Sequence, residues 1–109
     1  MLPKSKRLST ETFKKIIEKG QSFHGPFLIL RVYKTAEQSH FGISVPKKVS
    51  KLATSRNKIK RRIYSVISKL DIKSGFDVIV IAKTGLEKLT FLQTKDEIEK
   101  IFVKSSLLK

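Results

Sequence analysis

The residues of this chain best suited to chemistry form a dense basic run, RNKIKRR, at positions 56–62. The run holds five Lys or Arg, one Asn and a single apolar residue, Ile59. Three further lysines lie just upstream: Lys47, Lys48 and Lys51. Residues 47–62 therefore carry eight positive charges and no acid. Because like charges repel one another along a helix, the pattern predicts a surface that binds a polyanion.

The run opens a helix that we predict from about Ser55 to Leu70, with one apolar and one polar side. The stripe that must face the core comprises Ile59, Ile63, Val66, Ile67 and Leu70. The side chains predicted to project from the opposite side are Asn57, Arg61, Tyr64 and Ser68, flanked by Lys58 and Lys60. Arg56 and Arg62 lie at the border, where their stems cover apolar surface and their charged heads reach outward.

Two features of this helix favour nucleic acid as the polyanion. Asn57 and Arg61 are four residues apart, so an amide and a planar guanidinium can meet phosphate and ribose oxygens together. Positive charge at a helix N-terminus opposes the macrodipole, and a phosphate held by the N-terminal amides and Arg56 would relieve that conflict. We name the predicted nucleic-acid-binding residues the basic surface: Lys47, Lys48, Lys51, Arg56, Asn57, Lys58, Lys60, Arg61 and Arg62.

The positive charge of the whole chain is large and unevenly distributed. The net charge is +15 over 109 residues. Residues 1–62 hold 16 Lys or Arg against three acids, whereas residues 63–109 hold eight against six. The asymmetry indicates a binding surface built from the first sixty residues. The length and the 39% apolar content predict a single folded domain spanning residues 1–109.

The absence of cysteine excludes disulfides, thiolate metal sites and cysteine nucleophiles, and it fits a reducing compartment. The apolar run VIVIA at 78–82 is far too short to span a membrane. The opening MLPKSKRLS lacks the apolar segment of a secretory signal. We therefore expect a cytoplasmic protein without membrane association.

The N-terminal part of the chain predicts an amphipathic helix from about Thr10 to Lys19. Ser9 is a suitable N-cap, and Leu8 and Phe13 have the spacing of a hydrophobic staple. Gly20 supplies the C-terminal stop.

The remaining elements are strands and one further helix. The segments 26–34 and 40–45 predict two strands joined as a β-hairpin. The run FDVIVIA at 76–82 predicts a strand buried on both faces. The last helix begins near Thr90, which has the capping-box spacing to Gln93. The residues predicted on its apolar side are Phe91, Ile98, Ile101 and Phe102. The order αββαβα indicates a small α+β domain, a single sheet with helices packed on it.

The segment FGISVPKKVSKLATSRNKIKRRI at 41–63 resembles the signature of the bacterial ribonuclease P protein subunit. The residues that match are Ser44, Val45, Lys47, Lys48, Ala53, Arg56, Asn57, Lys60 and Arg61. Residues 4–23 are similar to the opening of that family, and residues 76–83 are similar to its later buried strand. The resemblance covers essentially the whole chain. It implies a ribosomal-protein-like fold with a left-handed βαβ crossover through the second helix, a rare connection.

The resemblance also implies a protein that assists an RNA enzyme. In that family the catalytic RNA and its Mg²⁺ cleave precursor tRNA, while the protein binds the RNA and the 5′ leader. The residues implied to line a leader cleft between the first helix and the sheet are Phe13, Ile17, Phe27, Ile29 and Arg31. The residues of the supporting basic N-terminus are Lys4, Lys6 and Arg7. No cofactor bound by the protein and no obligate protein partner are predicted.

Three positions depart from the family pattern. Lys58 stands where an Arg is usual, which keeps the charge but loses bidentate geometry. Ile17 and Arg31 stand where aromatic residues are common, so Arg31 would replace base stacking by guanidinium stacking or pairing.

The pattern of titratable residues does not predict catalysis by the protein itself. His24 and His40 are the only imidazoles, and both are predicted as exposed loop residues outside a shared cleft. A two-metal nuclease requires clustered carboxylates. The acids are scattered apart from Asp96, Glu97 and Glu99, which are predicted on the solvated side of the last helix.

Three other functions remain open on the sequence alone. A structural or ribosomal-type RNA-binding protein of similar fold would be equally basic, and only the specific residues matched above argue against it. A DNA-binding module is less suited, because the wide spread of charge fits A-form or irregular RNA better than a major groove. An autonomous nuclease would be identified by activity without RNA.

Overall fold

The computed structural model describes residues 10–35 and 39–108, which form a four-stranded mixed sheet with packed helices. Its elements are α1 (Thr10–Lys19), β1 (Gln21–His24), β2 (Leu28–Lys34), β3 (His40–Ser44), α2 (Ala53–Ile67), β4 (Phe76–Ala82) and α3 (Phe91–Lys104), with a short 3₁₀ helix at Leu86–Lys88. The predicted α+β fold class is confirmed.

The strand order of the sheet is β1-β2-β4-β3. β2 pairs antiparallel with β1 and β4, and β3 pairs parallel with β4. The predicted hairpin between 26–34 and 40–45 is therefore wrong, because β4 lies between the two strands. A strand whose faces are both apolar loses the most by lying at an edge, so β4 occupies the interior of the sheet.

The connection from β3 to β4 passes through α2, as a parallel pair requires. This confirms a βαβ crossover, and its left hand stays a prediction from the family resemblance. β1 is a strand that the sequence patterns do not predict, because four residues give too short an alternation. It pairs with β2 at the sheet edge, with Ser22 opposite Arg31.

The bounds of the other elements lie close to their predicted positions. α1 has the predicted bounds, whereas α2 runs from Ala53 to Ile67 instead of Ser55 to Leu70. The predicted N-cap Ser9 and staple residue Leu8 lie outside the described residues.

The main core lies between one face of the sheet and helices α2 and α3. The sheet contributes Leu30 and Val80, and the helices contribute Ile63 and Phe102, all four fully buried. The predicted apolar stripe of α2 faces this core, with Leu70 only partly buried after the helix ends. β4 is buried on both faces, as predicted.

Two side chains differ from the helix predictions. Tyr64, predicted to project outward, is 9% exposed and belongs to the core cluster, because α2 packs on both the sheet and α3 and so buries a wider arc. Phe91, predicted on the apolar side of the last helix, is 39% exposed. As the first residue of α3 it lies about 10 Å along the axis from Ile98, and burial begins only at Thr94.

α1 packs on the opposite face of the sheet, against β2 and β4. Ile16 of α1 and Ile79 of β4 are fully buried there. Gly20 lets α1 approach β2 closely, since a Cβ at this position would lie 3.1 Å from the carbonyl oxygen of Val32. The sheet is therefore covered by two helices on one face and by a single short helix on the other.

We expect Thr90→Ala to lower the free energy of unfolding by about 1 kcal/mol. The Gln93 N–H donates to the Thr90 hydroxyl at 3.2 Å, and the Thr90 N–H donates to the Gln93 side chain at 3.0 Å. This confirms the capping box of α3. Thr84→Ala, at an exposed turn residue, is the matched control and should cost less than about 0.5 kcal/mol. Equal losses in urea denaturation would contradict the capping role.

Candidate nucleic-acid interface

The outward face of α2 carries one half of the basic surface. Asn57, Lys58 and Arg61 are exposed, and Lys60 and Arg62 are half-buried. In the described part of the chain none of these side chains forms an ion pair with a carboxylate, and the first turn of α2 contains no acid. The charges of Lys58, Lys60, Arg61 and Arg62 are therefore available to an anionic partner, and Asn57 adds a neutral amide beside them.

The loop between β3 and α2 carries the other half of the basic surface. Val45 and Val49 are buried and anchor this loop in the core, whereas Lys47, Lys48 and Lys51 are exposed. The apolar residues fix the backbone, and the lysines between them reach solvent.

Arg56 joins the two halves of the basic surface. Its Nη1 donates to the carbonyl oxygens of Ser50 at 3.0 Å and Lys51 at 2.9 Å. These bonds hold the lysine-bearing loop against α2. A phosphate could therefore reach only the remaining nitrogens of Arg56, so fewer donors of this side chain are left for the phosphate contact predicted from the sequence.

The N-terminus of α2 has no side-chain cap. Its N-cap residue is Leu52, which is extended and 66% exposed. The amide groups of a first helical turn lack intrahelical partners, and they attract anions together with the helix dipole. Uncapped amides and the loop lysines thus lie at the same end of α2.

The sheet face that α1 covers in part supplies the floor of a cleft. Alternate residues of three paired strands point to this face, and neighbouring residues form rows across it. The rows across β2, β4 and β3 are Ile29, Ile81 and Ser44; Arg31, Ile79 and Gly42; and Tyr33, Asp77 and His40. The floor is apolar at one end and polar at the other.

A cavity of about 260 Å³ opens at the apolar end of this floor. Its lining residues are Ile29, Pro46, Lys48, Ile81, Ala82, Lys83 and Thr84. Ile29 was predicted for the leader cleft and Lys48 for the basic surface, so the tertiary structure brings the two predicted sites together. Sequence patterns did not point to Ile81 or Thr84, because their place depends on β4 lying beside both β2 and β3.

The other predicted cleft residues do not line this cavity. Phe13 is half-buried and Ile17 is 41% exposed, both on α1. Phe27 packs against the main core and beside Gly85, where a Cβ would lie 3.2 Å from its ring. Arg31 faces α1, as strand alternation predicts, and its guanidinium donates to carbonyl oxygens of that helix. The predicted supporting residues Lys4, Lys6 and Arg7 lie outside the described residues.

The two histidines lie in strands, so their predicted place in loops is wrong, although His24 is exposed as predicted. His24 ends β1 and His40 begins β3, and these strands form opposite edges of the sheet. The two strands are three strand spacings apart, roughly 14 Å, and His24 lies in the row of Ser44, four residues along β3 from His40, so the histidines do not share a cleft. His40 is half-buried, and its Nδ1 lies 3.0 Å from a carboxylate oxygen of the buried Asp77. The contact with buried Asp77 gives His40 a structural role in β3.

The carboxylates of α3 form ion pairs within their own helix. Lys100 lies 3.2 Å from Asp96 and 3.8 Å from Glu97, and Lys95 lies 3.9 Å from Glu99. The hydrogen bond and charge of Asp96, and then the charge of Glu97, raise the pKa of Lys100. In the described ranges no three His, Cys, Asp or Glu side chains come together in a group that could hold a metal ion.

Within the described residues, none of the helices has the length and apolar character needed to cross a membrane.

Comparison of the sequence with known families and proteins gives a consistent match. The family model described as Ribonuclease P matches residues 2–106. The Ribonuclease P protein component of a Pseudanabaena species is 33% identical over 113 residues, covering 99% of this chain and 97% of that protein. The component from a Synechocystis species is 35% identical over 112 residues, with 98% and 90% covered.

Solved structures match the fold as well. The RNase P protein of Staphylococcus aureus superimposes with a TM-score of 0.86 at 29% identity, covering 97% of this chain and all of that one. The RNase P protein of Thermotoga maritima gives a TM-score of 0.81 at 25% identity, with 90% and 96% covered.

Proposed function

Since this chain belongs to the ribonuclease P protein family, we propose that it binds two RNAs at adjoining sites. It is a subunit of an endoribonuclease of tRNA processing with an RNA partner. In our proposal it binds the catalytic RNA through the basic surface and the 5′ leader of precursor tRNA through the adjoining cleft. The observation that carries this proposal is the position of Lys48, which belongs to the exposed basic loop and also lines the cavity beside Ile29.

The proposed contact with the catalytic RNA is supported by charge and exposure. The outward side chains of α2 and the loop lysines are not paired with carboxylates in the described part of the chain. Uncapped helix amides at the same end can donate to phosphate oxygens. Because phosphate contacts release counterions, such a surface binds RNA strongly at low salt and with little demand on sequence.

The proposed contact with the leader is supported by the shape and chemistry of the cleft. Its floor presents Ile29 and Ile81, which can pack against bases, and Lys48 at its rim can meet the backbone. A single strand of any sequence has apolar base faces and a charged backbone, so this arrangement fits a leader without strong sequence preference.

We propose that the RNA subunit and its bound Mg²⁺ carry the chemistry and that the protein binds no cofactor of its own. The protein would then act electrostatically. Catalytic RNA and precursor tRNA repel each other, and a protein of net charge +15 between them screens that repulsion. The bulk Mg²⁺ needed for productive assembly should therefore fall. A chain without cysteine fits the reducing cytoplasm, where we place this function.

Adding the protein to a bacterial ribonuclease P RNA at low Mg²⁺ is expected to raise the rate of 5′ maturation of a precursor tRNA at least tenfold, a gain of about 1.4 kcal/mol. The RNA alone at high Mg²⁺ is the control, and it should cut at the same phosphodiester. No stimulation at any Mg²⁺ concentration would favour the structural RNA-binding alternative. Cleavage by the protein without RNA would instead indicate an autonomous nuclease.

A further inference from the structure

We infer that Arg31 is a positioning residue, which fixes α1 against the sheet and so sets the width of the proposed leader cleft without touching RNA. The inference rests on the proposed function, because it explains how the cleft of that function is held open at a defined width.

The guanidinium of Arg31 joins three elements. Its Nη2 donates to the carbonyl oxygen of Ile16 at 3.3 Å and to that of Ile17, and its Nη1 donates to the hydroxyl of Ser22. The carbonyl groups of the last helical turn carry the negative end of the helix dipole and so favour a cation, and that of Ile16 accepts the Gly20 N–H at 2.8 Å as well as the Arg31 bond. One side chain of β2 thus ties the last turns of α1 to β1 and β2.

The third guanidinium nitrogen shows that the Arg31 side chain is partly buried in the protein and not fully presented to solvent. Nε of Arg31 is buried, and in the described part of the chain it has no hydrogen-bond partner. A buried donor without a partner is unfavourable, and it persists only where other contacts hold the group in place. A phosphate cannot reach the buried Nε, and both Nη atoms already donate to protein oxygens, which leaves one N–H of Nη1 without an acceptor among the described residues.

The contacts of Arg31 act on the helix that covers part of the cleft floor, beside the cavity but outside its lining. Phe13 and Ile17 lie on α1, and the carbonyl group of Ile17 is itself an acceptor of Arg31. Gly20 allows the close approach of α1 to β2 that these bonds require, since a Cβ there would lie 3.1 Å from the carbonyl oxygen of Val32 in β2. Without the guanidinium, the last turn of α1 is free to move from β2, whereas the basic surface on α2 lies on a different element and should keep its geometry.

The experiment measures how much a leader strengthens substrate binding by the reconstituted holoenzyme. Precursor tRNA with a leader of about ten nucleotides is compared with the same RNA carrying one leader nucleotide. Arg31→Met is expected to reduce the leader-dependent gain in affinity by about fivefold or more, to raise KM and to leave kcat at saturation unchanged. Affinity for the RNA subunit should stay within about twofold, and the slope of log affinity against log salt should not change, because no phosphate contact is lost.

Two further variants keep the test decisive. Ser22→Ala removes one acceptor of Arg31 and should give a smaller loss of the same kind, which keeps the test available if Arg31→Met does not fold. Lys34→Met removes an exposed charge from the same strand and should leave the leader-dependent gain unchanged. Hydrogen exchange of the last-turn amides of α1 should accelerate in Arg31→Met and Ser22→Ala even without RNA.

Three outcomes would overturn the inference or its premise. A fall of the salt slope by about one unit in Arg31→Met would mean that Arg31 contacts a phosphate directly. An unchanged leader-dependent gain in Arg31→Met and Ser22→Ala, with a clear gain in the unmodified protein, would refute the positioning role alone. No gain from the leader in the unmodified protein would refute the proposed leader cleft itself.

Discussion

Replacing Lys58 and Arg61 together with glutamine is expected to weaken binding of the ribonuclease P RNA by roughly 10- to 100-fold and to raise the Mg²⁺ concentration needed for half-maximal cleavage. Both side chains are exposed on α2 and unpaired with carboxylates in the described ranges. Each phosphate contact adds about 0.7 to 0.9 to the salt slope, so the slope should fall by about 1.4 to 1.8. The cleavage position should not change, because the role proposed for these residues is to bind RNA and not to choose the scissile bond.

The matched control removes the same charge from another place. Lys69 and Lys73 are exposed and lie beyond the C-terminal end of α2. Replacing both with glutamine should alter RNA affinity by less than about threefold and change the salt slope little. If the two double variants behave alike, RNA binding depends on net charge alone and the basic surface is not a specific site.

Phe102→Ala is expected to have the largest effect on stability, a loss of about 3 to 5 kcal/mol in the free energy of unfolding. Phe102 is fully buried in α3 and is part of the cluster that joins α2, α3 and the sheet. Truncation removes the buried ring and leaves a cavity that close-packed neighbours fill only in part. Since small domains are stable by about 5 to 15 kcal/mol, this variant should be marginally folded at 37 °C.

The neighbouring residue supplies the control for this prediction. Val103 is 64% exposed on the same helix, so Val103→Ala should change the free energy of unfolding by less than about 0.5 kcal/mol. Urea denaturation with a common slope measures both. A comparable loss in the two variants would contradict the prediction that core packing at Phe102 dominates the stability of α3, since alanine itself favours the helix.

The burial of the α2 side chains shows how much a local sequence pattern can predict about a helix. A helical repeat reports which side of a helix is apolar, and it correctly placed Ile63 in the core and Arg61 in solvent. It did not report how wide the buried arc is. Tyr64 is buried because α2 contacts two elements, and only the positions of those elements decide this.

The strand predictions failed in a different way. The segments 28–34, 40–44 and 76–82 were each recognised, because β-branched and apolar residues favour extended chain. Their pairing was wrong, since adjacency in sequence favours a hairpin and the structure inserts β4 between β2 and β3. The register between β2 and β4 places Ile29 beside Ile81, and the loop after β3 brings Lys48 to the same cavity.

The sequence alone therefore determined the charge of the protein, the two-sided character of α2, the buried strand and the family resemblance that the comparisons confirmed. These properties depend on residue type and local spacing, which can be read from the sequence without knowing which distant segments are in contact. The tertiary structure decided the strand order, the lining of the cleft and the partners of Arg31 and Arg56. Those depend on contacts between residues far apart in the chain, such as Arg31 with Ile16 across 15 positions, and no local period encodes them.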